Sequence, residues 1–369
     1  MERAADGGGA GGDAVGRAVE AGDLDELGRT IDGLCASGSW DALLDLRDRC
    51  DRAVERGRQL WPAARHAEYR LALEAPGRWA AAVLVEGAGR FAPGPLPEVA
   101  ASTHSWDDLA PHLPPGPPAA TFLHERVVRG EDLTAVEMPG PDVLELPPVL
   151  QGWEPAYAVA VYRPDHGEFP APPVPRLAPM PSARAGAAGD GPDRGRRSPA
   201  GASGSGGRPD AGGAALAALV EHWREESEAV VDVAVVDPAA PATGTPGPGP
   251  DGEPPGCAAV AALRPPDPHG AEVDGRTAMA LMAWAAACGG VHGRRRGAAA
   301  GRLDAWMAVA AIGGAGEWPL DPTGVGAALG ALRWTVWDPG GAGAPWSLHL
   351  AVDDPRTGRA WAISARDAG

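Results

Sequence analysis

Apolar residues recur at helical spacing through the first third of the chain. Leu24, Leu27, Ile31 and Leu34 make one stripe behind the acidic Asp23. Ser39 stands where a cap would open a second helix, Trp40-Asp41-Ala42-Leu43-Leu44-Asp45-Leu46. Leu60, Trp61, Ala64, Tyr69 and Leu71 continue the period, which predicts a helical domain over residues 13–137. Ahead of it, residues 1–12 are rich in Gly, Ala and Asp and are expected to be a disordered leader. Residues 79–85 admit two readings: Ala81-Ala82-Val83-Leu84-Val85 could be a short buried strand, but its alanines and helical neighbours favour a helix. Ser105-Trp106-Asp107-Asp108-Leu109 echoes Ser39-Trp40-Asp41-Ala42-Leu43, and Trp40, Trp79 and Trp106 each open a helical stretch. Their mean spacing is roughly the 33 residues of helical-hairpin repeats, although the two gaps are unequal. An irregular α-solenoid or bundle of about five to seven helices fits this pattern, and so does an ordinary helical domain with coincidental tryptophans.

Prolines then become dense, and residues 138–182 read as an extended segment with one strand at 157–162, where aromatic and small residues alternate. Residues 183–211 mix Gly, Ser, Pro and Arg without period and are expected to be a disordered linker, unable to bury enough apolar area to order themselves. Residues 212–369 read as an α+β domain. A helix at 214–227 leads into a β-branched strand at 230–236. A Pro/Gly-rich loop, 238–256, is expected to be disordered, and 257–263 reads as the returning strand. A helical hairpin at 277–312 follows, and three strands at 332–337, 346–352 and 359–365 close the chain. Asp353-Asp354-Pro355-Arg356-Thr357-Gly358 supplies the Pro and Gly of a hairpin loop. Alternation puts Trp346, Leu348, Leu350 and Val352, with Trp361 and Ile363, on the face packed by helices, and turns Ser347, His349, Ala351 and Asp353 the other way. The fold class is therefore α+β multidomain: an all-α, helical-repeat-like or bundle N-terminal domain, then a C-terminal antiparallel sheet covered by helices.

Composition mainly removes possibilities. The 369 residues include no Lys and no Asn, which excludes a lysine Schiff base, a Walker A lysine and N-glycosylation. A net charge of -17 argues against general nucleic-acid binding, leaving only a local Arg patch for such a role. Cys35, Cys50, Cys257 and Cys288 form no CxxC pair and read as reduced, buried small hydrophobes. The start of the chain lacks the apolar core of a signal peptide, and no apolar run reaches the ~18 residues of a membrane span. A cytoplasmic protein without membrane attachment is expected.

Candidate chemistry concentrates in one stretch. After an apolar helix ending at Cys288 come Gly289-Gly290-Val291-His292-Gly293 and Arg294-Arg295-Arg296-Gly297. The glycine pair predicts a tight turn. Gly297, Gly301 and Ala305 form a side-chain-poor strip on the second helix, while Arg294 to Arg296 fall in its first turn, where cations oppose the helix dipole. A bound anion or an acidic partner would explain this cost. His292, Arg294, Arg295, Arg296 and Arg302 are accordingly the candidate anion-binding or partner-binding residues. The plainer explanation is a basic turn paired with the chain's own carboxylates, Asp304 or residues of the terminal sheet.

Other motifs carry less. Gly247-Pro248-Gly249-Pro250-Asp251-Gly252 matches GxGxxG inside a low-complexity loop with no helix behind it. Gly87-Ala88-Gly89-Arg90-Phe91-Ala92 follows an apolar run as a dinucleotide loop does, but Pro93-Gly94-Pro95 stops the required helix. No histidines stand at HExxH or HxH spacing, so no metal ligands are assigned. No catalytic or cofactor-binding residues are assigned either, and no cofactor is expected. His349, near Asp353, and His292 are the histidines that distant residues could join.

The segment Gly-His-Gly-Arg-Arg-Arg-Gly-Ala-Ala-Ala-Gly-Arg, with Trp306 and the Trp-rich terminal strands, resembles uncharacterised proteins encoded by high-GC bacteria. The resemblance covers about the last hundred residues and implies no activity and no catalytic residues. The leading functional expectation is a non-catalytic protein-interaction or regulatory module with a protein partner. The alternative is an enzyme or a small-molecule or anion-binding protein with its site near Arg294 to Arg296. The division into domains makes a direct prediction: limited proteolysis should cut first between residues 183 and 211, and first cuts elsewhere would refute it.

Overall fold

A computed structural model of the chain describes residues 9–180, 210–238, 255–316, 318–341 and 343–369. Most of the expected leader, linker and Pro/Gly-rich loop, and the GxGxxG match at 247–252, lie outside the described residues. Backbone contacts gather the chain into two compact units, residues 1–172 with 286–303, and residues 173–285 with 304–369. The segment 286–303, contiguous in sequence with the α+β part, thus belongs to the helical unit.

In the first unit the helices are α1 (Gly9–Ala21), α2 (Leu24–Ala36), α3 (Trp40–Glu55), α4 (Trp61–Glu74), α5 (Arg78–Ala81), α6 (Leu96–Ala101), α7 (Trp106–Leu109) and α8 (Pro117–Val128). Helix α1 starts inside the expected leader. The Asp23 carboxylate caps α2 by accepting from the Asp25 and Glu26 amides at 2.9 and 3.2 Å. Ser39 does occupy the cap position of α3, but its hydroxyl bonds that of Ser37 at 2.9 Å and leaves the helix amides without a side-chain cap. Helix α1 packs on α3 and α2 on α4, as in stacked helical hairpins, around fully buried Leu27, Ile31, Leu43, Leu46 and Leu71. Residues 79–85 form no strand: α5 is one helical turn, and turns carry the buried Val83 and Leu84 onward. The strand expected at 157–162 narrows to β1 (Val161–Tyr162), paired with β2 (Gly167–Glu168).

The second unit adds β3 (Ala178–Pro179), α9 (Ala211–Ala218), α10 (Glu221–Glu226), β4 (Val230–Val236), α11 (Pro255–Ala262) and β5 (His269–Val273). Then come α12 (Gly275–Ala287), α13 (Ala298–Gly313), α14 (Pro322–Ala331), β6 (Arg333–Asp338), β7 (Trp346–Asp354) and β8 (Arg359–Asp367), with residues 286–303 falling in the first unit. Strands β3-β5-β6-β7-β8-β4 make one antiparallel sheet in that order. The two-residue β3 and the mixed His-Gly-Ala-Glu-Val of β5 escape the sequence pattern, whereas the closing hairpin follows it, with Leu350 opposite Ile363 and Val352 opposite Trp361. On this face Trp346 stacks on Trp284 at 5.4 Å, and Trp284 meets Trp223 edge-on at 6.3 Å. Helix α9 also lies against β4 and β8, so close that a Cβ on Gly212 would come 2.8 Å from the Trp361 ring.

The opposite face is covered as well, contrary to the expected outward set. Residues 257–263, read as a strand, belong mainly to helix α11, which packs on β8, β4 and β7. A short apolar run fits strand and helix equally by period, and its alanines are the strongest helix formers. They also suit the floor beneath: Ala259 and Val260 join Ala351, Ala360, Ala362 and Trp337 in a small core. His349 and Asp353 are consequently buried. Overfilling this layer should be costly. We expect Ala362→Leu to lower stability by about 1–3 kcal/mol in urea denaturation, and a neutral result would mean that α11 does not cover the sheet.

A buried carboxylate–arginine network at the start of α13

Helix α13 begins at Ala298, so Arg294 to Arg296 precede it instead of forming its first turn. Residues 288–297 connect α12 to α13, a longer link than the tight turn expected. Gly297 closes that link at φ 99°, a conformation costly for other residues, and a Cβ there would come 2.7 Å from Glu125 Oε1. Its bare Cα makes room for Glu125, one of two carboxylates at the helix start. Glu98 of α6 accepts from the Ala298 amide at 3.1 Å, and Glu125 of α8 accepts from the Ala299 amide at 2.9 Å. Both are where the helix dipole favours negative charge.

Arginine closes the network. Arg295 donates through Nε and Nη2 to both oxygens of Glu98, each at 2.7 Å, with side chains only 4% and 1% exposed. Tyr162 donates its hydroxyl to Glu98 at 2.6 Å, and Arg129 donates to Glu125 at 2.8 Å. One face of Arg295 lies 4.7 Å from the centroid of Phe169. A turn along α13, Arg302 has a fully buried side chain and donates to both oxygens of Glu154 at 2.7 and 2.8 Å. Its Nη1 and Nη2 also donate to the carbonyls of Pro147 and Val149, and Tyr157 donates to Glu154. The geometry is bidentate in both pairs, the arrangement that best offsets the desolvation of buried charge.

The two carboxylates at the helix start titrate differently. Burial works to raise the Glu98 pKa, but the charge and hydrogen bonds of Arg295, with help from Tyr162 and Arg129, hold it below the usual value. Burial and the neighbouring charge of Glu98 push Glu125 up to about 7 against Arg129 and the Ala299 amide. Burial opposes ionisation of Glu154 too, and Arg302 overcomes it. Burial likewise pushes the Cys288 thiol up to about 12, so it is no thiolate nucleophile at neutral pH.

The five candidates from the sequence therefore occupy two environments. Arg295 and Arg302 are buried against Glu98 and Glu154, residues 197 and 148 positions away. His292, Arg294 and Arg296 are exposed. Arg296 Nη1 donates to the Ala286 carbonyl at 3.3 Å, and Arg294 stands 5.6 Å from the ring centroid of Phe91. Phe91 belongs to the Gly87–Ala92 motif, where the Gly89 amide donates to Glu68 at 3.0 Å and no helix starts before Leu96. A carboxylate thus holds this loop through its Gly89 amide, and the helix that a dinucleotide loop requires does not directly follow it. Sequence reasoning missed Glu98, Glu125 and Glu154; its available signal was a lone acid in an apolar context, as in Leu96-Pro97-Glu98-Val99-Ala100-Ala101.

Beside Phe91, which is 52% exposed, Trp61 is 38% exposed, and their ring centroids are 4.5 Å apart. Arg90 also stands 5.6 Å from the Phe91 centroid. In the second unit a hollow of ≈ 480 Å³ is lined partly by Asp210, Asp237, Asp354, Arg356 and Arg359. There Arg359 pairs with Asp210 and Asp237, and Arg356 with Asp354. Under α11, burial pushes the His349 pKa down to about 4 and that of Asp353 up to about 6.

These features define an α+β protein with an internally neutralised arginine site and an exposed aromatic surface. Residues 25–369 match a family of unknown function (DUF6183), and the chain belongs to that family. No curated protein and no solved structure matches the chain.

The network predicts a large stability effect with a definite pH dependence. Arg295→Gln should cost about 3–5 kcal/mol, because it strands a buried carboxylate. Glu125 keeps its proton in the folded chain up to about pH 7, whereas an unfolded glutamate ionises near pH 4.3. Its contribution is fully present below that lower value and is lost as pH rises through the folded pKa. Glu125→Gln should flatten this part of the stability–pH curve, measured by denaturation from pH 4 to 8; an unchanged slope would show that Glu125 does not titrate there.

Proposed function

We propose that this protein is a non-catalytic protein-interaction or regulatory module of the cytoplasm. It docks through the surface formed by Trp61, Arg90, Phe91 and Arg294. The observation carrying this reading is the exposed Trp61–Phe91 pair flanked by two guanidiniums, since aromatic residues and arginine are the usual anchors of interfaces. Arg295 and Arg302 serve the fold, and Arg294, with exposed His292 and Arg296 nearby in sequence, serves recognition. The charge of -17 weighs against nucleic acid as the partner. Among the described residues no helix is long and apolar enough to cross a membrane.

The full chain and its Phe91→Ala variant test the reading in a pull-down from the source cells. Phe91 is exposed, so the variant should melt within about 0.5 kcal/mol of the parent and lose a protein that the parent retains. Equal capture by both would remove this surface from the function. Melting shifts caused by small molecules or phosphate, with no protein held, would favour the enzyme or ligand-binding alternative.

A further inference from the structure

The six-stranded sheet ends differently at its two edges. Edge strand β3 is two residues long and closes on Pro179, which has no N–H to offer. Edge strand β4 runs for seven residues, Val-Val-Asp-Val-Ala-Val-Val, with no proline and with Asp232 as its single charge. Its whole length pairs with β8, and among the described residues no strand pairs with its other side.

Both faces beside this edge are covered. Helix α9 lies over one, where a Cβ on Gly213 would come 3.2 Å from Val235 and 3.5 Å from Val233, and α11 packs on the other. Val230 and Val235 nonetheless remain 55% and 38% exposed. Edges are ordinarily blocked by charges, prolines, bulges or shortness, and a long β-branched edge without them is what an added strand pairs with.

The charges around the edge give the sign of the occupant. Glu225 and Glu228, just ahead of β4, and Asp232 within it are exposed. Nearby cations are largely committed: Arg224 pairs with Glu221 at 3.2 Å, and Arg359 pairs with Asp237 at the far end of the strand. Exposed Arg366 of β8 stands opposite Val230, on the face of Asp232, and can balance only one of the three carboxylates. A second copy of the chain is disfavoured here, because pairing two β4 edges would bring these acids together, on chains that each carry a net charge of -17.

We infer that the open edge of β4 takes an extended basic peptide segment as a further strand of the sheet, its backbone bonded to β4 and its Arg or Lys side chains set beside Asp232. This surface is built from other residues than the one around Phe91, so the inference goes beyond the reading above and does not depend on it.

Panning a phage-displayed random peptide library on the full chain, then titrating a synthetic copy of a selected peptide, tests it. Selected peptides should alternate β-branched or aromatic residues with Arg or Lys. Successive amides of a strand point to opposite sides, so N-methylating one alternate set of the peptide's amides should abolish binding, and N-methylating the other set should leave it nearly intact. Asp232→Arg should weaken binding about tenfold or more, and so should Val235→Lys, which places a charge on the edge. Both positions are exposed, and both variants should melt like the parent.

Selection of acidic or uncharged peptides, or of none, would overturn the inference, as would equal effects of the two N-methylated sets or an affinity unchanged by Asp232→Arg. So would peptides whose binding is lost with Phe91→Ala and kept with Asp232→Arg, which place them elsewhere. A dimer seen in sedimentation that Val235→Lys dissolves would also overturn it, since a second copy would then hold the edge.

Discussion

A carboxylate can be buried only where positive charge or hydrogen-bond donors replace its water, and the start of α13 meets that demand twice. The amides of Ala298 and Ala299 receive Glu98 and Glu125. Arg295 holds Glu98 ionised, whereas Glu125, although bonded to Arg129, has its pKa pushed up to about 7 by burial and by the charge of Glu98. The requirement reaches several parts of the first unit. Gly297 must lack a Cβ, Tyr162 must point its hydroxyl inward, and α6 and α8 must bring their acids to one place. Removing one member would leave a charge without compensation, so the network specifies one arrangement of these elements. The Arg302–Glu154 pair repeats the principle farther along the helix, with the guanidinium also donating to the carbonyls of Pro147 and Val149.

That internal neutralisation separates the arginines by role. Arg295 and Arg302 contribute order because they are buried; Arg294, beside Arg295 in sequence, lies over an exposed ring instead. The link that carries Arg295 inside leaves Arg294 exposed. The Gly87–Ala92 loop, anchored through Gly89 to Glu68, does the same for Phe91 and Arg90. The surface proposed for recognition is therefore presented by buried polar anchors.

The closing β-hairpin was legible because its information is local: aromatic and β-branched alternation fixes the faces, and Pro355 with Gly358 fixes the turn. The layer above it was not. An Ala-rich run of eight residues fits either period, and only a floor of Ala351, Ala360 and Ala362 shows why α11 lies flat on the sheet as a helix. One consequence is chemical: His349 and Asp353, expected on an open face, are enclosed, and burial favours their neutral forms.

The sequence by itself determined the helical first part, the α+β last part, and the place where arginines and glycines would demand negative charge. It could do so because period, capping and dipole act within a few turns of chain. Which negative charge arrives was decided by tertiary structure, since Glu98 and Arg295 are separated by 197 residues and nothing local pairs them. Tertiary structure also decided that Trp61 and Phe91, two apolar residues in otherwise ordinary surroundings, meet at the surface beside Arg294. Pairing across such distances depends on how whole helices pack, a property of the folded chain and not of any stretch of it.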